Sequence, residues 1–489
     1  MLNGGIRHSA FGIVFVLLAT MNSAGYRYGA SDQALYVPAV LRHLEPQAFP
    51  RDAALIDTQA RLMLNDDLIA AAVRLTHLSL PHLFFVFYLA GLALLYVAAM
   101  RFGGRIYRSR WALLALAAAL TLRHAIAKTG ANTLEGYFHP RQAAFAFGIL
   151  AAAAFLERKD RVALALLACA AAVHTTIALW FAVWLGVAFW FGRPRARVVL
   201  AALGALAVLG GAIALSAGAM AGRFVRMDSE WLAVIADKDY LFPLAWPLNV
   251  WITNLITVPI VVSCWRQRRR ASLTVPGETP LVLGAMALLL IFGASLPFNA
   301  MRLAIAVQLQ IARIFWILDF LATVYLVWWL TEGPWKTKPA IVVAVVVLVS
   351  TLRGAYACFV EFPNRKVFAL DIAHADWRDA MTWAQTTDPG SGWLADPMHA
   401  VVYGSSLRAA GHRDVLLERV KDRALAMYDR GIAMRVADRE RALELLAWNT
   451  PDGARALARR FGLDYLVVDR QLDLPLAHRF GSLFIYRIR

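Results

Sequence analysis

The chain has 489 residues, is 60% hydrophobic and has a mean hydropathy of +0.55, well above the level of a soluble domain, which is nearer half apolar. The net charge of +17 is spread through short loops between apolar runs rather than gathered on one soluble module, which excludes nucleic acid as the partner. Three cysteines, Cys169, Cys264 and Cys358, occur without a CxxC spacing and support neither a disulfide framework nor a zinc site.

Apolar runs of about 18–22 residues are long enough to span a bilayer as helices, so the sequence predicts a polytopic membrane protein. The first run, roughly Phe11 to Gly25, follows MLNGGIRHSA and is not followed by a small-residue cleavage site, so it is expected to be a retained anchor. About eleven spans are expected, near 9–25, 80–100, 111–128, 142–157, 161–174, 175–192, 198–216, 247–265, 279–297, 308–330 and 339–357. The fifth and sixth form a hairpin turning at VHTT.

Arginine-dense loops alternate with loops that lack the density. The dense ones hold Arg101, Arg105, Arg108 and Arg110; Arg158, Lys159 and Arg161; Arg193, Arg195 and Arg197; Arg266 and Arg268 to Arg270; and Lys336 and Lys338. The positive-inside rule places these in the cytoplasm. An odd span count then puts the N-terminus inside and 26–79, 128–142, 217–246 and everything after Ala357 outside. The tail from about 358 to 489 predicts a small α/β domain, with DWRDAMTWAQ as a helix and GWLADP, DVLLE, DYLVVD and SLFIYRI as strands. It is long enough to bury its own core.

The unusual polar residues fall on the expected outer side. In YRYGASDQALYVP, residues Asp32, Gln33 and Tyr36 share a helical face, and Asp52 follows in FPRD. Two readings of Asp32 stand: a helix N-cap, and a carboxylate at the membrane boundary whose partial desolvation raises its pKa and suits it to act as a general base. EGYFHPRQ opens the fourth span with Pro140 in its first turn, where a missing N–H costs nothing. Arg141 in that turn opposes the helix dipole; it is either a plain surface arginine or part of a phosphate site that resolves the conflict. His174, in AAVHTTIALW, reads as a hydrogen-bonded histidine or a further contact at the outer turn. In FNAMRLAIAVQLQIARIFWILDF, Arg302 and Arg313 are about three turns apart on nearly one face, with Gln310 one turn before Arg313. Arg302 can snorkel outward; Arg313 is deeper and is expected to face a cavity. Asp319 falls on another face and reads as structural. No nucleophile elbow, Walker loop, HExxH or dinucleotide glycine fingerprint occurs.

Together YGASDQALYVP, FPRD, YFHPRQ, LQIARIFW and the ending FGLDYLVVDR…SLFIYRI resemble the GT-C superfamily of integral-membrane glycosyltransferases, in its bacterial branch, over the full architecture. The resemblance implies a mainly α, GT-C-like membrane bundle over 1–357 and a periplasmic α/β domain over 358–489. It implies an inverting glycosyltransferase at the periplasmic face of the bacterial inner membrane, with a polyprenyl-phosphate-linked sugar donor and a glycan, lipid or protein acceptor. The catalytic-base role falls on Asp32, with Asp52 the next acid of the same loop. Tyr28, Gln33 and Tyr36 are expected to shape the sugar pocket, and His139, Arg141, His174, Gln310 and Arg313 to bind substrate. The family's commoner pair of adjacent acids is here Asp-Gln, and Gln is a weak ligand for a divalent cation, so no metal or other cofactor is expected. The other readings are a transporter or flippase of lipid-linked substrate and an assembly scaffold; polar residues along the full depth would favour transport, and an outward cavity closed on the cytoplasmic side would favour the enzyme.

Overall fold

The computed structural model describes residues 2–217, 222–334 and 338–489. Lys336, one of the two lysines of the last expected cytoplasmic loop, lies outside the described residues. Each of the eleven apolar runs contains a helix, as it must where no water can satisfy the backbone, but the third, expected over 111–128, ends at Leu120 and gives way to a short antiparallel strand pair, 125–126 with 131–132. Among the described residues seven helices are long and apolar enough to cross a membrane. Ala10–Asn22, Arg110–Leu120 and Pro140–Leu156 are shorter apolar helices. The fifth expected span is Asp160–Val173, whose 14 residues rise only about 21 Å and fall short of the bilayer core.

The arginine-dense loops meet one another at one end of the bundle. Arg101 pairs with Glu157 at 3.1 Å, and Arg193 pairs with Asp160 at 3.0 Å and donates to Phe155 O at 2.8 Å. Arg268, buried over Trp328, pairs with Glu278 at 2.7 Å. The Arg108 backbone N–H donates to Glu332 at 2.9 Å. These pairs tie the helix ends and loops at this end of the bundle together. Small residues let the helices close above them: a Cβ at Gly284 would lie 2.4 Å from Trp184 O.

At the opposite end the chain builds a second layer. The segment after the first helix holds the helices Gln33–Leu44, Ala53–Ala60 and Asn65–Thr76. The C-terminal domain carries a five-stranded sheet in the order 414–415, 392–394, 465–468, 483–487, 476–480. The first three strands are parallel and the last two form an antiparallel hairpin. All four expected strands and the helix Ala375–Ala384 are present. The fifth strand, Leu476–Phe480, was not expected; it is an edge strand whose LAHRF faces solvent, so no apolar alternation marks it.

The domain's core is only partly its own. One cluster, around Trp377, Met381, Trp393 and Ile485, lies within the domain. The other joins Leu394, Leu416, Leu425 and Leu466 to Leu55, Trp231, Ile235 and Ala304 of the outer segments of the bundle. Tyr26 and Arg27 pair as a short parallel strand with Phe368 and Ala369. The domain is thus seated on the bundle rather than tethered beside it. Reporter fusions after Arg110, Arg197 and Arg270 should score on one side of the membrane, and fusions near Thr133, Asp239 and Gly411 on the other. A fusion at Gly411 that scores with Arg110 would contradict this arrangement.

Candidate active site

Two loops are pressed together to place Asp32. The first helix ends at Asn22, and Gly25 turns the chain with φ +83°. Arg27 N–H then donates to Gly136 O at 2.8 Å. A Cβ at Gly136 would lie 2.7 Å from Gly25 O and 2.8 Å from Ser23 O, so only glycine admits this approach. The result is that Glu135, Tyr137 and His139 face Asp32 from the other loop. Asp32 is the N-cap residue of Gln33–Leu44, but its side chain makes no capping bond and turns into a cavity. The capping role expected for it is therefore absent.

The two carboxylate oxygens have different company. Oδ2 accepts from His139 Nε2 at 3.0 Å and from Tyr137 OH at 3.3 Å, with Arg141 Nη2 at 3.8 Å. Oδ1 is held by Lys421 Nζ, which comes from the C-terminal domain. Arg141 also pairs with Glu135. His139 Nδ1 accepts the Arg141 backbone N–H at 3.2 Å, which leaves the proton on Nε2 to be donated to Asp32. Burial, and then Arg141, push His139 down to about 4, so it is neutral near pH 7. Burial pushes Asp32 up, but Lys421, His139 and Arg141 outweigh it and hold the carboxyl well below its usual range. This corrects the sequence-based expectation of a raised pKa: the carboxylate is largely buried, but it is surrounded by donors.

The cavity has a volume of about 360 Å³ and a strongly cationic lining. Arg27, Arg123, Arg141, Lys238, Arg313 and Lys421 face two acids, Asp32 and Glu135. Three helix N-termini open onto it: Pro140–Leu156 beside Arg141, Thr175–Gly192 capped by His174, and Ile314–Thr331 preceded by Arg313. Each adds partial positive charge. Arg141 Nε, Arg313 Nε and Gln310 Oε1 are buried without a partner in the protein, which is costly unless a ligand completes them. Below this ring Phe145 stacks on Trp316 with centroids 4.1 Å apart and meets Phe181 and Phe320 edge-on. Phe145 is one turn below Arg141 and Trp316 is three residues below Arg313, so an aromatic layer lies deeper in the bundle than the two arginines, beneath the residues that line the cavity.

Of the expected residues, Asp32, Tyr36, His139, Arg141, His174, Gln310 and Arg313 line this one cavity. Tyr36 packs edge-on against His139 at 5.3 Å, and the rings of His139 and His174 are 6.4 Å apart. Tyr28 does not line it; it is buried edge-on against Phe84 at 5.9 Å. Gln33 does not line it either. Its Oε1 accepts the Gly29 N–H at 2.7 Å and its Nε2 donates to Phe138 O at 3.3 Å, so it fastens the two loops together. The expected continuous helix through Arg302 and Arg313 is broken. Arg302 and Gln310 sit at positive φ, +57° and +47°, with a five-residue helix between them. Arg302 lies over the Phe242 ring at 4.7 Å. Asp319 pairs with His124 at 3.0 Å.

Asp52 is also outside the cavity, and the catalytic role expected for it does not fit its position. It is fully buried against the C-terminal domain, where Arg408 donates to it at 2.7 Å and Arg435 and Arg439 flank it. Arg408 in turn pairs with Asp422 at 2.6 Å. Burial alone would push Asp52 up, but Arg408, Arg439 and Arg435 hold it down to about 2.

Sequence reasoning missed Lys421, Glu135, Tyr137, Arg27, Arg123, Tyr240 and Tyr428. Glu135 and Tyr137 stood inside the quoted EGYFHPRQ, and Arg27 beside Tyr28; nothing in the sequence marks Lys421. Among the described residues no group of three or more His, Cys, Asp or Glu is placed to hold a metal ion. Asp32 and Glu135 both face cations, so the residues here do not fit a divalent metal as they stand.

A scan against protein-family models and a search of the curated proteins both return no match. A search of solved structures returns the apo crystal structure of an oligosaccharyltransferase from Archaeoglobus fulgidus. It is 11% identical, with a TM-score of 0.46, over 94% of this chain and 69% of that one. At that level no residue role passes from one to the other.

The buried position of Asp52 generates a stability prediction. Asp52→Ala leaves Arg408 partly unpaired in the interface and should destabilise the protein by about 3–5 kcal/mol, read by thermal unfolding in detergent. The folded pKa lies below the unfolded one, so the carboxylate's contribution is full above about pH 4 and lost as pH falls through about 2. A wild-type melting temperature for Asp52→Ala at pH 7 would show that the pair holds nothing together.

Proposed function

We propose that the protein is an inverting glycosyltransferase that uses a sugar carried on a polyprenyl phosphate and works where the cavity opens, at the periplasmic face of a bacterial inner membrane. The observation that carries the reading is the Asp32 carboxylate, set inside a ring of arginines and helix N-termini at the end of the bundle opposite the arginine-dense loops. The ring suits an anionic group that arrives by way of the lipid, and the carboxylate suits a hydroxyl that must lose a proton. The sequence resemblance to GT-C glycosyltransferases points the same way. The aromatic layer under Arg141 and Arg313 speaks against a transporter, because the polar lining does not continue down the bundle.

In this reading an acceptor hydroxyl attacks the anomeric carbon as the bond from that carbon to the phosphate oxygen breaks. The hydroxyl proton passes to Asp32, and the bonding pair leaves with the lipid phosphate. Arg141 and Arg313 hold that phosphate and gain strength as its charge grows, which is where fixed cations lower a barrier. Neutral His139 and Tyr137 keep Oδ2 fixed, so Oδ1 is the oxygen that takes the proton. Tyr36 and His174 wall the sugar, and the acceptor is a glycan, lipid or protein hydroxyl.

Deleting the gene should remove a surface glycan modification and accumulate a lipid-linked sugar, both read by mass spectrometry. Complementation with Asp32→Asn should leave the protein in the membrane yet lower turnover by about two to four orders of magnitude, the usual worth of a general base. Arg141→Ala and Arg313→Ala should weaken donor binding, with Lys restoring it only in part because it lacks the planar fork. Full complementation by Asp32→Asn would end the mechanism.

A further inference from the structure

Lys421 is the contact that the functional reading leaves unexplained. It lies 389 residues from Asp32 in sequence and reaches it from the short helix Arg419–Leu425 of the C-terminal domain. That segment is a wall of the cavity, since Val420, Lys421, Ala424, Met427 and Tyr428 all line it. The wall is pinned to the bundle: Trp231 Nε1 donates to Ala426 O at 2.8 Å and Gln308 Nε2 donates to Met427 O at 2.9 Å. The lysine side chain itself is not pinned. Its ammonium has Asp32 Oδ1 as its close partner and Ser31 Oγ at 3.5 Å as a second, at the edge of contact.

The asymmetry at Asp32 gives this contact its meaning. Oδ2 is held by His139 and Tyr137, and His139 is locked in place by capping the Pro140 helix. Among the described residues Oδ1 meets Lys421 Nζ, a point charge on a four-carbon stem. An ammonium on that oxygen occupies one of its lone pairs and lowers its basicity, so it opposes the transfer of a proton from an acceptor. The same ammonium opens onto a cavity whose other cations, Arg27, Arg123, Arg141 and Arg313, are placed for an anion. An anion that enters therefore competes with Asp32 for Lys421.

We propose that Lys421 is a positioning residue shared between two anions: it pairs with Asp32 before the ligand binds and passes to the phosphate when the lipid-linked ligand enters, which opens Oδ1 to the acceptor. This inference rests on the proposed function. It makes the base available only when donor is present, and it does so by a side-chain swing with the domain still seated.

Competition for one cation has a thermodynamic signature. The affinity of purified full-length protein for a polyprenyl monophosphate, and separately for inorganic phosphate, would be measured at pH 7 in wild type, Lys421→Met, Asp32→Asn and the double variant. Lys421→Met should weaken polyprenyl phosphate binding about tenfold, a typical coupling between linked sites. Asp32→Asn should tighten it several-fold, because Lys421 is released to the ligand. That gain should vanish in the double variant, the cycle isolating the coupling from any general loss of fold. Lys421→Arg, which keeps the charge, should keep the gain; it also covers the case in which Lys421→Met melts early. The same pattern with inorganic phosphate would place the exchange on the phosphate group itself, and its restriction to the lipid arm would place it on the bound lipid ligand; both support the swing. Equal affinities for polyprenyl phosphate in all four proteins would overturn the exchange and leave the proposed donor standing. Failure of wild type to bind polyprenyl phosphate would overturn the proposed donor and the exchange with it.

Discussion

A fully buried carboxylate holds the C-terminal domain in register with the segment that follows the first helix. Asp52 is buried at the junction of the first outer segment and the C-terminal domain, and its charge is tolerable only because Arg408, Arg435 and Arg439 surround it. The domain supplies the cations and the bundle's outer segment supplies the acid, so neither side can leave without stranding charge in an apolar interior. The domain adds its own acids to the seam: Asp414 accepts the backbone N–H groups of Arg51 and Asp52, each at 3.0 Å. Everything at the cavity that comes from the C-terminal domain depends on this seam, Lys421 above all.

The cavity is built on the opposite economy of charge. At the seam, acids and bases are matched and no ligand is needed. In the cavity six cations meet two acids, three helices point their N-termini inward, and buried donors are left open. An arrangement of that kind is unstable against burial unless something anionic completes it. The two clusters meet at the helix Arg419–Leu425, where Lys421 pairs with Asp32 and the next residue, Asp422, pairs with Arg408, so the matched one braces the unmatched one.

The fold was legible because membrane insertion writes itself plainly into sequence. Each apolar run had to become a helix, and the arginine-dense loops had to gather on one side; the contacts Arg101–Glu157, Arg193–Asp160 and Arg108–Glu332 join those loops to one another. The site was legible where a residue type conflicted with its local setting. Arg141 against a helix dipole and Arg313 within an apolar run both line the cavity. Inference failed where periodicity was extended through a break. Positive φ at Arg302 and Gln310 ends the helix that was to align them, and nothing in LAIAVQLQ announces it. It failed again for Tyr28, Gln33 and Asp52, polar residues near Asp32 in sequence whose side chains serve packing, loop closure and the domain seam. Lys421 was beyond reach, since only the tertiary seating of a distant domain brings it to Asp32.

The tripeptide His139-Pro140-Arg141 shows how local rules are used to set a chemical state. Pro140 has no N–H, so the first donor offered by the helix is that of Arg141. His139 Nδ1 takes it, and a histidine whose Nδ1 accepts must carry its proton on Nε2. That proton points at Asp32 Oδ2. Burial, and then the charge of the Arg141 guanidinium near the same oxygen, keep the imidazole neutral, so the histidine remains a single-proton donor rather than a second cation. Serine or aspartate would cap the helix equally well, but a second carboxylate would repel Asp32, and serine would lack the ring nitrogen that joins cap to carboxylate. Capping chemistry, which usually only ends a helix, here fixes one oxygen of Asp32 and leaves the other to be contested.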